Sequence, residues 1–317
     1  MRERVQPKSI EKYGKRTVAG LSMLAVVSCG VEAHSSALDP PSPVASSIDM
    51  PTSEVPFVQP SPDFEGLEYE WQAELSRDVG DIDAAIVDLH TGEMMQASSR
   101  ETAERFYAAS VMKLSILVET LRQYQEQGMP VDICDDDANQ WLDQCQALDT
   151  AYPMITVSDN DTASQLFRQA GGATGMQSFF DRIGASETTA STSWGLTLTT
   201  ANDQLKVMRA AVEPGNVLDA QYVEAARNLL RHVDPSQTWG VGSGVQAEDM
   251  HVENKNGWIP DLDGTYNSVG YVYREDGSIE YAVAIMMQRG GGDQATKDTM
   301  QRLSARAYET MVRTTEQ

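Results

Sequence analysis

The chain has 317 residues, with 24 lysines and arginines against 47 aspartates and glutamates, and its formal net charge is −23 at pH 7. This acidic balance argues against nucleic acid and anionic lipid surfaces as partners, because both require clustered basic side chains. The composition, 41% hydrophobic and 22% charged, is that of a globular chain. No run of about 18 apolar residues is present, so the sequence predicts no transmembrane helix.

The charge is distributed unevenly along the chain. The first 28 residues carry six of the basic side chains and two of the acidic ones, which leaves 18 basic and 45 acidic residues and a net charge of −27 from Cys29 onward. Four lysines remain in that part of the chain: Lys113, Lys206, Lys255 and Lys297. Lysine is therefore rare enough there for each one to need an explanation.

Residues 1–28 are predicted to be an export signal, because a basic stretch precedes the apolar run Val18–Ser28. The tetrapeptide ending at Cys29 resembles a bacterial lipobox, in which the cysteine is lipidated and becomes the new amino terminus. A plain secretory signal, cut a few residues later, is the alternative. We expect the lipoprotein, exported and anchored by its lipid alone at the outer face of the bacterial cytoplasmic membrane or cell envelope.

Residues 29–63 are predicted to be a tether. Seven of the 13 prolines lie between Pro40 and Pro62, and no glycine occurs from Val31 to Asp63. In the polyproline conformation, at ~3.1 Å per residue, this segment would hold a domain on the order of 100 Å from its anchor. Disorder without a function is the alternative.

Cys134 and Cys145 are the two cysteines left after lipidation of Cys29. In an exported chain such a pair indicates a disulfide, which would close a loop of about a dozen residues. Two unpaired cysteines are the alternative.

Residues 64–317 show the periodicity of one α+β domain. Helices are predicted at Phe64–Arg77, Ser110–Gln127 and Asp293–Val312, with further helical segments up to about His232. Strands are predicted at Ile82–Leu89, Glu93–Ala97, Met250–Gly257, Tyr266–Arg274 and Ile279–Met287. This order predicts a sheet faced by helices, built from about 64–113 and 236–317, into which a helical subdomain of about 114–235 is inserted.

The sequence lacks the GxSxG elbow, the HExxH zinc motif, a phosphate-binding glycine loop and paired CxxC motifs, so it predicts no metal and no cofactor. It does contain Ser110-Val111-Met112-Lys113 at the start of a predicted helix. Residues three positions apart share a helix face, so the hydroxyl and the amine lie close together. A lysine whose pKa is lowered can activate the serine, and the helix amino terminus favours an oxyanion.

Two further tripeptides carry polar chemistry. Ser158-Asp159-Asn160 precedes a predicted helix, Thr162–Gln169, and a simple helix cap is the alternative interpretation. Lys255-Asn256-Gly257 ends a predicted strand and places a lysine beside a residue without a side chain, although a strand that ends in a turn would give the same pattern.

Taken in order, these motifs resemble the SxxK, SDN and K-[ST]-G motifs of the serine β-lactamase and penicillin-binding protein superfamily, most of all its class A β-lactamase branch. The likeness covers residues 64–317 and includes the hairpin Ile82–Ala97 and the segment Asn267–Tyr271. It implies the β-lactamase/transpeptidase-like fold, a mostly antiparallel five-stranded sheet flanked by helices with an inserted all-α subdomain.

The resemblance also implies roles for individual residues. Ser110 would be the acylated nucleophile, Lys113 its base, and Ser158 the relay of a proton to the leaving nitrogen. The substrate would be held by Asn160, Lys255, Asn256 and Gly257. The backbone amides of Ser110 and Trp258 would form the oxyanion hole.

Two positions depart from the class A pattern. Asn256 stands where the family has threonine or serine, and it lacks a hydroxyl although its amide can still donate to a carboxylate. The segment 184–202 contains no E-x-x-L-N, whose glutamate positions the water that frees the acyl-enzyme, and Glu187 is its only glutamate. We therefore expect acylation to be intact and deacylation to be impaired.

These features leave three readings of the function. The favoured one is a monomeric serine hydrolase that acts on β-lactams. The second is a D-Ala-D-Ala carboxypeptidase or a related enzyme that acts on cell-wall peptides, and the third is a lipoprotein that keeps the fold as a binding module. The combination of Ser110, Lys113, Ser158 and Asn160 counts against the third, because a scaffold needs none of them.

Overall fold

The computed structural model describes residues 61–77, 80–99, 105–131 and 148–315. The predicted export signal, Cys29, nearly all of the tether, and both Cys134 and Cys145 lie outside the described residues. The predictions for these segments therefore stay predictions.

The described residues form a five-stranded antiparallel sheet. Its strands are β1 (Asp81–Asp88), β2 (Met94–Ser98), β5 (Met250–Ile259), β6 (Thr265–Arg274) and β7 (Glu280–Gln288). Their order across the sheet is β2-β1-β7-β6-β5. A short ribbon pairs β3 (Phe106–Tyr107) with β4 (Leu198–Thr199). Strand β1 is buried along its whole length, because helices cover both faces of the sheet there.

Two helices cover one face of the sheet, α1 (Phe64–Leu75) and α9 (Asp293–Thr315). Helix α1 begins where the Asp63 carboxylate accepts a hydrogen bond from the backbone N–H of Gly66. Its apolar stripe points into the core, and the indole N–H of the buried Trp71 donates to the Leu303 carbonyl at 3.0 Å. The two ends of the domain are thereby joined.

The other face of the sheet packs against the helical part of the chain. The helices there are α2 (Met112–Glu126), α3 (Ala151–Thr156), α4 (Asn160–Gln169), α5 (Gly172–Arg182), α6 (Ala201–Val212) and α7 (Ala220–Arg231), and the short α8 (Val241–Gly244) leads back to the sheet. Helix α2 is buried on every side from Met112 to Arg122. It is the central helix of the core, which fixes the position of the residues at its amino-terminal end.

The predicted fold class is confirmed, and the predicted helices and strands lie within three residues of the observed bounds. One boundary matters for the site: Ser110 lies in a 3-10 turn, Ala109–Val111, and α2 begins only at Met112. None of the helices in the described ranges is long and apolar enough to cross a membrane.

Candidate active site

Ser110 lies where the β3 strand turns into the central helix. The preceding residue, Ala109, has a φ of 49°, a left-handed conformation that costs a residue with a side chain of order 1–3 kcal/mol. Such strain persists only where the surroundings impose it, and here it turns Ser110 toward a cleft of about 410 Å³. The other residues that line this cleft are Val157, Ser158, Asn160, Ser236, Gln237, Trp239, Trp258 and Lys297.

Lys113 joins two of the sequence motifs. It is fully buried one turn beyond Ser110, and its ammonium group donates to the Ser158 carbonyl at 2.5 Å, to Ser158 Oγ at 2.9 Å and to Asn160 Oδ1 at 2.8 Å. An ammonium has three protons, so all of its donors are used. The structure thus joins the lysine of the SxxK motif to Ser158 and Asn160 of the SDN motif.

The middle residue of the SDN motif explains this arrangement. Asp159 caps α4, because its carboxylate accepts from both the backbone N–H and the hydroxyl of Thr162 at 2.8 Å. Ser158, before the cap, adopts a φ of 59°. The helix-cap interpretation is therefore correct for Asp159, and the same cap directs Ser158 and Asn160 toward Lys113.

The two buried lysines have lowered pKa values. Burial disfavours the ammonium of Lys113 and lowers its pKa to about 8, although the nearby Asp159 carboxylate opposes the shift. Burial and, to a smaller extent, the positive charge of Lys113 together lower the pKa of Lys255 to about 7. Both lysines therefore titrate in the range in which a lysine can exchange protons with a substrate or a serine.

The backbone of the third motif, at Gly257, lies close against the turn that carries Ser110. A Cβ atom on Gly257 would lie 2.6 Å from the backbone nitrogens of Ser110 and Val111, so a side chain there would collide with the serine turn. Asn267, on the neighbouring strand, secures the same junction, because its amide donates to the carbonyls of Tyr107 and Ala108 at 2.8 and 3.0 Å. The amides of Ser110 and Trp258, the predicted oxyanion hole, lie at this junction.

Lys255 and Asn256 both lie beneath the wall of the cleft. Lys255 is buried, and its ammonium donates to the Asn256 carbonyl at 2.9 Å and to Gln237 Oε1 at 3.4 Å. The Asn256 side-chain amide is also buried and donates to the carbonyls of Gln237 and Trp239 at 2.8 and 2.7 Å. Both of its protons are used, so the predicted contact of Asn256 with a substrate carboxylate would require these bonds to break.

The segment 184–202 brings an indole, not a carboxylate, to the buried lysine. The Lys113 ammonium lies over the Trp194 ring, 5.0 Å from the ring centroid. The indole N–H of Trp194 donates to Ser164 Oγ at 3.2 Å. The Glu187 carboxylate accepts from Thr200 Oγ1 at 3.3 Å. Among the described residues, those that line the cleft include no carboxylate.

No role was predicted for five of the residues that line the cleft, Val157, Ser236, Gln237, Trp239 and Lys297. The Trp239 ring packs edge-on against Trp258 and Tyr266 at centroid distances of 5.9 and 6.0 Å, which makes an aromatic wall. The Lys297 ammonium lies over the same ring at 5.3 Å. The scarcity of lysine was the one signal that marked Lys297.

The fold is that of the class A β-lactamases. The structure matches the β-lactamase class A of the last common ancestor of Gram-negative bacteria with 18% identity and a TM-score of 0.63, over 77% of this chain and 98% of that chain. It matches a β-lactamase from Streptosporangium roseum with 19% identity and a TM-score of 0.63, again over 77% and 98% of the two chains. At such identities the likeness shows the fold alone.

The sequence itself identifies the family. Residues 66–311 match the model of the Beta-lactamase enzyme family, and the chain belongs to that family. No match to a curated protein reaches significance.

Proposed function

We propose that the protein is a serine hydrolase that opens β-lactam rings by forming an acyl-enzyme on Ser110. One observation carries the proposal: Ser110 opens into a cleft that Ser158 and Asn160 also line, and the buried Lys113 ammonium donates to both of these residues in a single cluster. A scaffold would gain nothing by burying an ammonium group, whose removal from water is costly. The family membership supports the proposal at the level of the chemistry.

The cluster supplies the proton transfers that acylation needs. A neutral Lys113 has a free lone pair and accepts the Ser110 proton as the hydroxyl oxygen bonds to the lactam carbonyl carbon. The negative charge on the carbonyl oxygen is stabilised by the backbone amides of Ser110 and Trp258. The proton then passes from Lys113 through Ser158 Oγ, 2.9 Å away, to the ring nitrogen as the carbon–nitrogen bond breaks.

We propose that release of the acyl group is slow. Hydrolysis requires a base that activates water beside the ester, and no carboxylate is present among the described residues that line the cleft. Glu187 is bonded to Thr200 instead, and Trp194 lies against Lys113. The acyl-enzyme should therefore accumulate.

The lack of a carboxylate among the described residues that line the cleft also favours a second candidate, a D-Ala-D-Ala carboxypeptidase or a related cell-wall enzyme. Such an enzyme uses the same nucleophile and base on a peptide and holds β-lactams as long-lived adducts. The third reading, a catalytically weak binding lipoprotein, requires that Ser110 does not react.

A chromogenic cephalosporin separates these readings. A burst of about one equivalent followed by continued slow turnover, with both lost in Ser110→Ala, supports the β-lactamase with slow release of the acyl group. A stoichiometric burst that stalls supports the cell-wall enzyme, and the absence of both turnover and burst overturns the acylation chemistry and leaves the binding module.

We also propose that the protein is anchored through a lipid on Cys29. The support is the lipobox-like tetrapeptide that follows the basic and apolar segments. Labelling of cells with radioactive palmitate should mark the protein and should fail in Cys29→Ala. Equal labelling of the two would rule the anchor out.

A further inference from the structure

A second cavity among the described residues lies on the other side of the segment that contacts Lys113. It is lined by α4, the segment 192–196 and Ile259, and we call it the Trp194 groove. Its volume of about 540 Å³ is within the usual range for sites that bind small molecules. None of the residues that line it also lines the cleft at Ser110, so the two cavities are separate sites.

Much of the Trp194 groove is apolar and already formed. Phe167, Trp194, Leu196 and Ile259 line it, and Leu196 is 40% exposed. The Trp194 ring is fixed without a ligand, because its N–H donates to Ser164 Oγ at 3.2 Å and its face contacts the Lys113 ammonium. An apolar wall that needs no reordering favours the binding of an apolar molecule.

Arg168 supplies a positive charge at the same groove. It lies in the last turn of α4, is exposed, and forms no ion pair within the described residues, although the chain has a net charge of −23. The described residues that line the groove include no carboxylate. A guanidinium with free donors can hold a carboxylate through two parallel hydrogen bonds, so the groove offers an anion site beside its apolar wall.

We propose that the Trp194 groove binds a small aromatic carboxylate, a ligand distinct from the compound that acylates Ser110. The aromatic body packs against the rings of Trp194 and Phe167, and the carboxylate pairs with Arg168. Ser110 does not line the groove, so the ligand binds there without reacting.

The test uses 1-naphthylacetate as the probe and uncharged 1-naphthylacetamide as its partner. Calorimetry measures the Kd of each compound for the wild type, Arg168→Met and Leu196→Ser. Both side chains are exposed, so the variants should fold. Two controls remove a positive charge elsewhere: Lys297→Met from the wall of the catalytic cleft, and Arg182→Met from the exposed end of α5.

We expect the wild type to bind naphthylacetate with a Kd below about 1 mM. Arg168→Met should weaken this binding about tenfold and change that of the amide less than about twofold, because only charged hydrogen bonds are lost. Leu196→Ser should weaken binding of both compounds several-fold, because apolar contact is lost. Lys297→Met and Arg182→Met should change neither Kd.

The inference is overturned if the wild type does not bind naphthylacetate, or if either groove variant binds it as tightly as the wild type does. A loss in Lys297→Met as large as that in Arg168→Met also overturns it, because the probe would then lie in the catalytic cleft. Ser110→Ala should bind the probe with an unchanged Kd. The result is therefore independent of whether Ser110 reacts with β-lactams.

Discussion

Lys113 and Ser158 lie 45 positions apart in the chain, yet the Lys113 ammonium donates to both the carbonyl and the hydroxyl of Ser158, at 2.5 and 2.9 Å. The contact joins the central helix to the SDN turn and leaves the lysine without a carboxylate partner among the described residues. The proposed chemistry depends on this pairing, because a lysine that is desolvated and not paired with an acid can lose its proton near neutral pH.

The first prediction concerns the pH dependence of acylation. Burial lowers the pKa of Lys113 to about 8, and only its neutral form can accept the serine proton. Acylation should therefore fall about tenfold per pH unit below pH 8 and level off above it. The pH dependence is measured as the second-order rate constant for acylation by a β-lactam between pH 5.5 and 9.5.

Lys206→Met is the matched control for this profile, since Lys206 is partly exposed and paired with Asp203. It should leave the profile unchanged. A rate that keeps rising toward pH 10, as for an ordinary lysine, would contradict the role of Lys113 as the base.

The second prediction concerns Asn256. Asn256→Ala would leave the buried carbonyls of Gln237 and Trp239 without these donors, so the free energy of unfolding should fall by about 1–3 kcal/mol. Urea unfolding measures this. Asn216→Ala, which removes an exposed asparagine, should change stability by less than about 0.5 kcal/mol. A loss of β-lactam affinity at unchanged stability would instead show that Asn256 contacts the substrate.

The third prediction concerns the junction of β5 with the serine turn. In Gly257→Ala the new Cβ would lie 2.6 Å from the backbone nitrogens of Ser110 and Val111, so the turn must move. We expect acylation to slow by about 100-fold or more, because small displacements of reacting groups are costly. In the control Gly195→Ala the new Cβ meets Ala109 at an ordinary 3.9 Å and should have little effect. Similar rates for the two variants would refute this account of the junction.

The sequence predicted the elements and the motif residues because each has a local signal. Runs rich in apolar and aromatic residues located β6 and β7, and the tripeptide Ser158-Asp159-Asn160 marked the start of α4 to within two residues. The orientation of Asn256 could also be predicted from the sequence. Successive residues of a strand point to opposite faces of the sheet, so the side chains of Lys255 and Asn256 leave β5 on opposite faces.

The rest of the site has no local signal. Trp194, Trp239 and Lys297 come from a loop, a turn and the last helix, and only the tertiary fold brings them to the serine and its lysine. Gln237 likewise reaches Lys255 across 18 positions of the chain. Their roles depend on distances that periodicity and spacing do not encode.

The fourth prediction concerns Glu187, the one glutamate in the segment 184–202. Its carboxylate is bonded to Thr200 and does not line the cleft, so Glu187→Gln should leave the lifetime of the acyl-enzyme unchanged within about twofold. Decay of the adduct after removal of free β-lactam gives this lifetime. A lifetime several-fold longer in the variant would identify Glu187 as the base that activates water.

The most direct test of the account is the intact mass of the protein after brief exposure to benzylpenicillin at pH 8. We expect one adduct per chain with the full mass of the antibiotic, stable for many minutes in the wild type and absent in Ser110→Ala. An adduct that persists in Ser110→Ala, or a wild-type protein that gains no mass and turns over no β-lactam, would contradict it.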